Sequence, residues 1–167
     1  MTKNRLVNIT AELGGRAITI ISVFDAAREL VFKAYTDPTL IPQWWGLKAH
    51  ATTVDALDVR FGGVWRLVSR DADGNEFAFK GVYHSVVPPE RLVRTSEFEG
   101  MPDHVSLETA TFEEQDGKTK VTAIAVFQTV EDRDGMRASG MEAGVTETME
   151  RLAELLQKLN GQKRSGS

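Results

Sequence analysis

The chain of 167 residues contains no cysteine. That absence removes disulfides and thiolate metal sites together, and it fits a reducing compartment. No stretch approaches the roughly 18 consecutive apolar residues that a membrane span needs. The N-terminus, MTKNRLVNITAELGG, is polar and alternating and has no apolar h-region, so the chain reads as cytoplasmic. No GxSxG elbow, P-loop or GxGxxG pattern occurs. His50, His84 and His104 are far apart and show no HxH, HxxxH or HExxH spacing, so neither a metal nor a cofactor is expected. One-sided charge is also scarce: 20 Lys and Arg against 24 Asp and Glu leave a net charge of -4. So mild an acidity argues against a nucleic-acid partner.

What remains is an ordinary globular composition, 41% hydrophobic and 26% charged. The length suits one domain with a substantial core. Residues 1 to 160 are expected to form it, with the terminal GQKRSGS, residues 161 to 167, as a disordered tail. Oligomeric state is left open by these features.

Turn signals divide the chain regularly. Residues 7 to 13 and 17 to 24 are apolar and β-branched on either side of Gly14-Gly15, and read as strands. Asp25 is a candidate cap for a helix over AARELVFKAYT, in which Ala27, Val31 and Ala34 or Tyr35 recur at helical spacing. Asp37-Pro38 ends that helix and starts a short second one. It runs through Leu40 and Ile41 into the QWWG segment, which sets Trp44 and Trp45 side by side.

From residue 50 to 128 the period is two. Strands are expected near 52–60, 64–70, 76–87, 91–99, 105–114 and 118–128, separated by Gly62-Gly63, DADGN, Pro88-Pro89, EGMPD and Asp116-Gly117. Asp-Gly is the strongest of these hairpin signals. An antiparallel sheet with one wet face follows. Met141, Val145, Met149, Leu152, Leu156 and Leu159 then make an apolar stripe on a helix from about 139 to 160, with Ser139 and Glu142 spaced as a capping box. At about 1.5 Å per residue it is roughly 30 Å long and can cross a whole sheet. The expected fold is α+β: an antiparallel sheet of six or seven strands, two short helices after the first strand, and one long helix across the concave face.

The phrases FDAARELVFKAYTDP, QWWG, VRFGGVWRL, DADGNEFAFKGVYHSVVPPERLVRT, FEEQDGKTKVT and SGMEAGVTETMERLAELL occur in the order found in bacterial homologues of the Hsp90 ATPase activator's C-terminal domain. Over about residues 17 to 160 the chain resembles that family, within the START-like, Bet v 1-like (SRPBCC) superfamily of helix-grip folds. The resemblance implies a sheet wrapped around a long helix with a cavity between them, often used for lipids or other apolar small molecules.

Several residues are candidates for such a cavity. One of Trp44 and Trp45 is expected to plug the core while the other lies half exposed; the competing role is a ligand platform. Trp65, Phe79 and Tyr83 alternate on the expected concave face, as core or as cavity wall. Gly140, Gly144, Met141 and Met149, with Val145, make one end of the long helix a poor filler of space and a candidate roof for a void, although methionines at helical spacing are more often ordinary core. Tyr83 would be the main polar handle, since a buried hydroxyl seeks a partner. His104 precedes a strand near the mouth, although a surface role is the commoner one for such a histidine.

Three functions compete. The first, and favoured, is binding of an apolar small molecule, whose sign is a cavity of at least roughly 300 Å³. The second is a chaperone partner, marked by an exposed Trp44 or Trp45 in an apolar patch. The third is an enzyme of the cyclase or hydrolase kind, which needs convergent titratable groups in the cavity, and no catalytic constellation is visible.

Overall fold

The computed structural model describes residues 6–165. Eight strands, β1 (Val7–Thr10), β2 (Ala17–Phe24), β3 (Ala51–Leu57), β4 (Val64–Arg70), β5 (Glu76–Val87), β6 (Arg91–Phe98), β7 (Val105–Gln115) and β8 (Lys118–Phe127), form one sheet in the order β1-β2-β8-β7-β6-β5-β4-β3. Every neighbouring pair is antiparallel. A helix, α1 (Arg28–Thr36), and a single 3-10 turn, Ile41–Gln43, carry the chain from β2 to the far edge. Successive hairpins then walk back until β8 closes against β2. Asp116 and Gly117 join β7 to β8 with φ of 52° and 79°, the positive values that a tight type I′ turn requires.

The sheet has eight strands where six or seven were expected: every segment read as a strand joins it, with the short β1 on the outer edge of β2. The two helical segments consequently follow the second strand. Asp25 caps nothing with its side chain: α1 starts at Arg28 without a side-chain cap, and the Asp25 carbonyl accepts from Asn160 Nδ2 at 3.1 Å. Asp37 accepts at Oδ1 from Thr39 N at 2.8 Å and Thr39 Oγ1 at 2.6 Å and so builds the turn before the 3-10 segment, but the segment itself starts at Ile41 with Leu40 as N-cap, so neither Asp37 nor Pro38 holds the cap and first position expected of them.

The C-terminal region departs from the sequence reading. A separate helix, α2 (Val130–Ala138), precedes the long one, with Thr129 as its N-cap accepting from Asp132 N at 3.0 Å. Its polar composition concealed it, since the anchoring side chain is an arginine. Arg133 is 1% exposed and donates to the carbonyls of Glu12 at 2.8 Å and Ala17 at 3.0 Å, pinning α2 to the β1–β2 connection. Ser139 therefore ends α2 and forms no capping box; its hydroxyl donates to the Met136 carbonyl at 2.6 Å. Gly140, at φ 85°, turns the chain into α3 (Met141–Ser165), which continues past the expected end at 160 through most of the segment read as a tail. Residues 166 and 167 lie outside the described residues.

The apolar stripe of α3 meets the concave face. Leu152, Leu155 and Leu156 are all buried against Leu92, Phe112 and Val121 of the sheet. Helix α1 fills the same layer, with Phe32 edge-on to Phe112 at 5.3 Å between ring centroids.

Candidate ligand cavity

Between the N-terminal half of α3 and the sheet lies a cavity of about 590 Å³. Gly144 contributes no side chain to it, and a Cβ built there would touch only Leu47 Cδ2, at 3.7 Å. Met141, Val145 and Met149 line it from the helix, and Trp44, Trp45, Phe79 and Tyr83 from the other side. Seven of the nine candidate residues thus stand around one space. Leu47 and Ile124 line it as well and are 38% and 36% exposed, which puts the opening beside the α2–α3 junction.

The two indoles of QWWG divide the work. Trp44 is 4% exposed, its Nε1 donates to the Ala34 carbonyl at 2.9 Å, and its ring lies 4.9 Å from that of Tyr35. It plugs the core under α1 while still reaching the cavity. Trp45 is half-buried and sets its ring edge-on to Phe79 at 5.2 Å, forming cavity wall. Arg151 of α3 holds this segment by donating to the carbonyls of Gly46 at 2.7 Å and Gln43 at 3.2 Å. The helix that roofs the cavity thereby also fixes its tryptophan wall.

Two candidates fall outside the lining. His104 is on the surface, its side chain 50% exposed, with Nδ1 2.8 Å from Asp132 Oδ1. The loop carrying it turns toward α2, which the sequence reading lacked, and not toward the cavity. Trp65 is 1% exposed and belongs to the layer beneath the cavity. Its Nε1 donates to the Thr95 carbonyl at 3.0 Å across Gly81, where any Cβ would sit 2.6 Å from that nitrogen and 1.8 Å from the Thr95 oxygen. Glycine at 81 is thus what lets the indole lie flat under β5.

On that indole rests a polar group missed in the sequence. The Arg94 guanidinium carbon is 3.8 Å from the Trp65 ring centroid, a cation–π geometry, and Arg94 Nε donates to Glu108 Oε1 at 3.1 Å. Both Arg94 and Glu108 line the cavity. Burial works against the Arg94 charge, but the Glu108 carboxylate and then the Tyr83 oxygen outweigh it and hold the arginine pKa above its usual value. Tyr83 is 1% exposed, and apart from this proximity to Arg94 its hydroxyl makes no hydrogen bond of ordinary geometry among the described residues. An orphaned hydroxyl of this kind costs about 1–3 kcal/mol. Tyr35 adds a second phenol, in contact with Met149 Sδ at 4.0 Å. Burial pushes its pKa up, and the charge of Arg94 opposes the shift.

A signal for the charged pair was present. Pairing β6 and β7 symmetrically about the middle of the EGMPD turn sets Arg94 opposite Glu108, as observed, and Arg94 is in phase with the inward Leu92. Across β5 the register sets Tyr83 opposite Arg94. Among the described residues no group of three or more His, Asp or Glu side chains is placed to hold a metal ion.

The fold agrees with the comparisons to known proteins. Residues 25–157 match the profile of the Activator of Hsp90 ATPase homolog 1-like protein family. The chain belongs to that family. Among solved structures, a protein from Mycobacterium smegmatis is 25% identical, with a TM-score of 0.81 over 90% of this chain and 96% of its own. A protein from Staphylococcus epidermidis is 26% identical, with a TM-score of 0.77 over 89% and 94% of the two chains. One from Arthrobacter aurescens, at 23% identity and a TM-score of 0.84 over 92% of each chain, shares the fold. No curated protein matches the chain. The family's helix-grip architecture is the α+β arrangement described above, and no described helix is long and apolar enough to cross a membrane.

Proposed function

We propose that the protein binds a small, mainly apolar molecule in the cavity between sheet and α3. The observation that carries this reading is the volume of about 590 Å³, within the usual range of roughly 300–1,000 Å³ for ligand pockets. A chain able to close its core with leucine, as it does from Leu152 onward, places glycine, methionine and aromatic rings here instead. Chaperone docking has less support, because Trp44 is buried and Trp45 faces Phe79, so neither offers the exposed indole that such a surface needs.

The test uses N-phenyl-1-naphthylamine, an uncharged apolar dye. Its fluorescence should rise saturably with one dye per chain, and Gly144→Leu, which fills the space opposite Leu47, should abolish the rise while the circular dichroism stays that of a folded protein. Undiminished dye binding by the folded variant would place the ligand elsewhere and end this reading.

A further inference from the structure

The cavity's apolar walls end in a polar floor whose charges are already balanced. Arg94 and Glu108 form one ion pair, at 3.1 Å, directly across β6 and β7. A guanidinium carries five N–H donors, and Nε alone accounts for this contact. The terminal nitrogens make no hydrogen bond of ordinary length and angle among the described residues, although the Tyr83 oxygen is near enough to favour their charge, and the Trp65 ring covers one face of the group. Beside them is the buried, unpartnered Tyr83 hydroxyl, on the residue opposite Arg94 in the β5–β6 register. Two neighbouring strands, β5 through Tyr83 and β6 through Arg94, then direct spare hydrogen-bond donors to one place at the bottom of an apolar space.

The electrostatics select what can sit there. A carboxylate or phosphate would add a second negative charge beside Glu108 with one guanidinium to share, in a site where the two side chains are only 23% and 36% exposed to water. A cation would face Arg94 in the same way. A neutral oxygen accepts from Tyr83 and Arg94 and leaves the ion pair balanced. Trp44, Trp45, Tyr35 and Phe79 offer ring faces and edges for the rest of the ligand.

We infer that the ligand is an uncharged, ring-containing carbonyl compound, its oxygen between Tyr83 and Arg94 and its apolar body against the aromatic and methionine walls. This rests on the cavity reading and specifies its ligand class. The Gly81–Trp65 arrangement acts at one remove, since the flat indole is the surface that positions the guanidinium.

Three probes of similar shape separate the possibilities by calorimetric titration: 2-acetylnaphthalene, 2-ethylnaphthalene and 2-naphthoate. The ketone should bind about 10-fold more tightly than either of the others, the factor that about 1.4 kcal/mol supplies. In Tyr83→Phe the ketone should lose most of that advantage, with 2-ethylnaphthalene unchanged and the melting temperature of the unliganded protein not lowered, because the hydroxyl removed had no partner. Equal affinity for ketone and hydrocarbon would overturn the inference and leave the cavity reading standing. Tightest binding of naphthoate would overturn it in favour of an anion site, and a ketone preference undiminished in Tyr83→Phe would remove Tyr83 from the site. Failure of all three probes to bind, together with dye binding that survives Gly144→Leu, would end both.

Discussion

The two halves of α3 face the same sheet and do opposite things. From Leu152 onward the helix presents Leu152, Leu155 and Leu156, at 0%, 6% and 1% exposure, to the core layer. Over residues 141 to 149 it presents Met141, Gly144, Val145 and Met149, and a cavity opens beneath them. Both halves are helical and amphipathic, so the difference is one of side-chain volume. Stability is concentrated where the leucines are, and the hollow half is anchored instead by polar contacts, Arg151 and Thr148 to the Gly46 carbonyl at 2.7 and 3.2 Å and Glu147 Oε2 accepting from Lys48 N at 2.9 Å. Burial dominates the leucine end, which has Asn160 to the Asp25 carbonyl as a polar contact, and hydrogen bonds to the QWWG segment hold the hollow end, which frees that end to admit a guest.

The largest effect should come from the packed half. Leu152→Ala removes a fully buried side chain and should cost about 2–5 kcal/mol in chemical denaturation. A loss well under 1 kcal/mol would show that this half is not closely packed. Next, Arg94→Met leaves Glu108 in the cavity floor without its partner, at a cost of about 1–3 kcal/mol at pH 7, below that of a fully enclosed pair because the cavity has an opening. Chemical denaturation at pH 7 checks the cost, and an unchanged stability would mean that Glu108 does not depend on Arg94 for its charge.

Met149→Ala should cost about 1 kcal/mol, less than Leu152→Ala, since Met149 already borders a void and its removal enlarges a space without creating one. A cost equal to that of Leu152→Ala would erase the distinction between the halves. The smallest effect has the opposite sign. Gly144→Ala should stabilise the protein by about 0.5–1 kcal/mol, because glycine in a helix interior is disfavoured and the added Cβ meets Leu47 Cδ2 at an ordinary 3.7 Å. Destabilisation by alanine there would imply that the backbone at 144 needs glycine for itself, and the hollow would then be a by-product of backbone geometry.

The sequence by itself determined the strands, their hairpin turns and the face that α3 turns to the sheet, because each depends on local periodicity or on the φ preference of one or two residues. Asp116-Gly117 could hardly form anything but a tight turn, and Leu152 and Leu156 fall on one side of any helix. Register across β6 and β7 was also within reach, since a short turn fixes it, and with it the meeting of Arg94 and Glu108. Helix α2 was not legible, for its hold on the fold is a buried arginine bound to carbonyls of the β1–β2 region, a long-range contact with no periodic trace. His104 was drawn to the wrong neighbour for the same reason. Trp65, Phe79 and Tyr83 share a face by alternation, but only tertiary packing decided that Trp65 lies beneath the cavity and that Tyr83 is left with an unpartnered hydroxyl in its wall. Pattern assigns a side chain to a face; whether that face meets a neighbour or an empty space depends on the volumes supplied by elements distant in the chain, and those are summed only when the chain has folded.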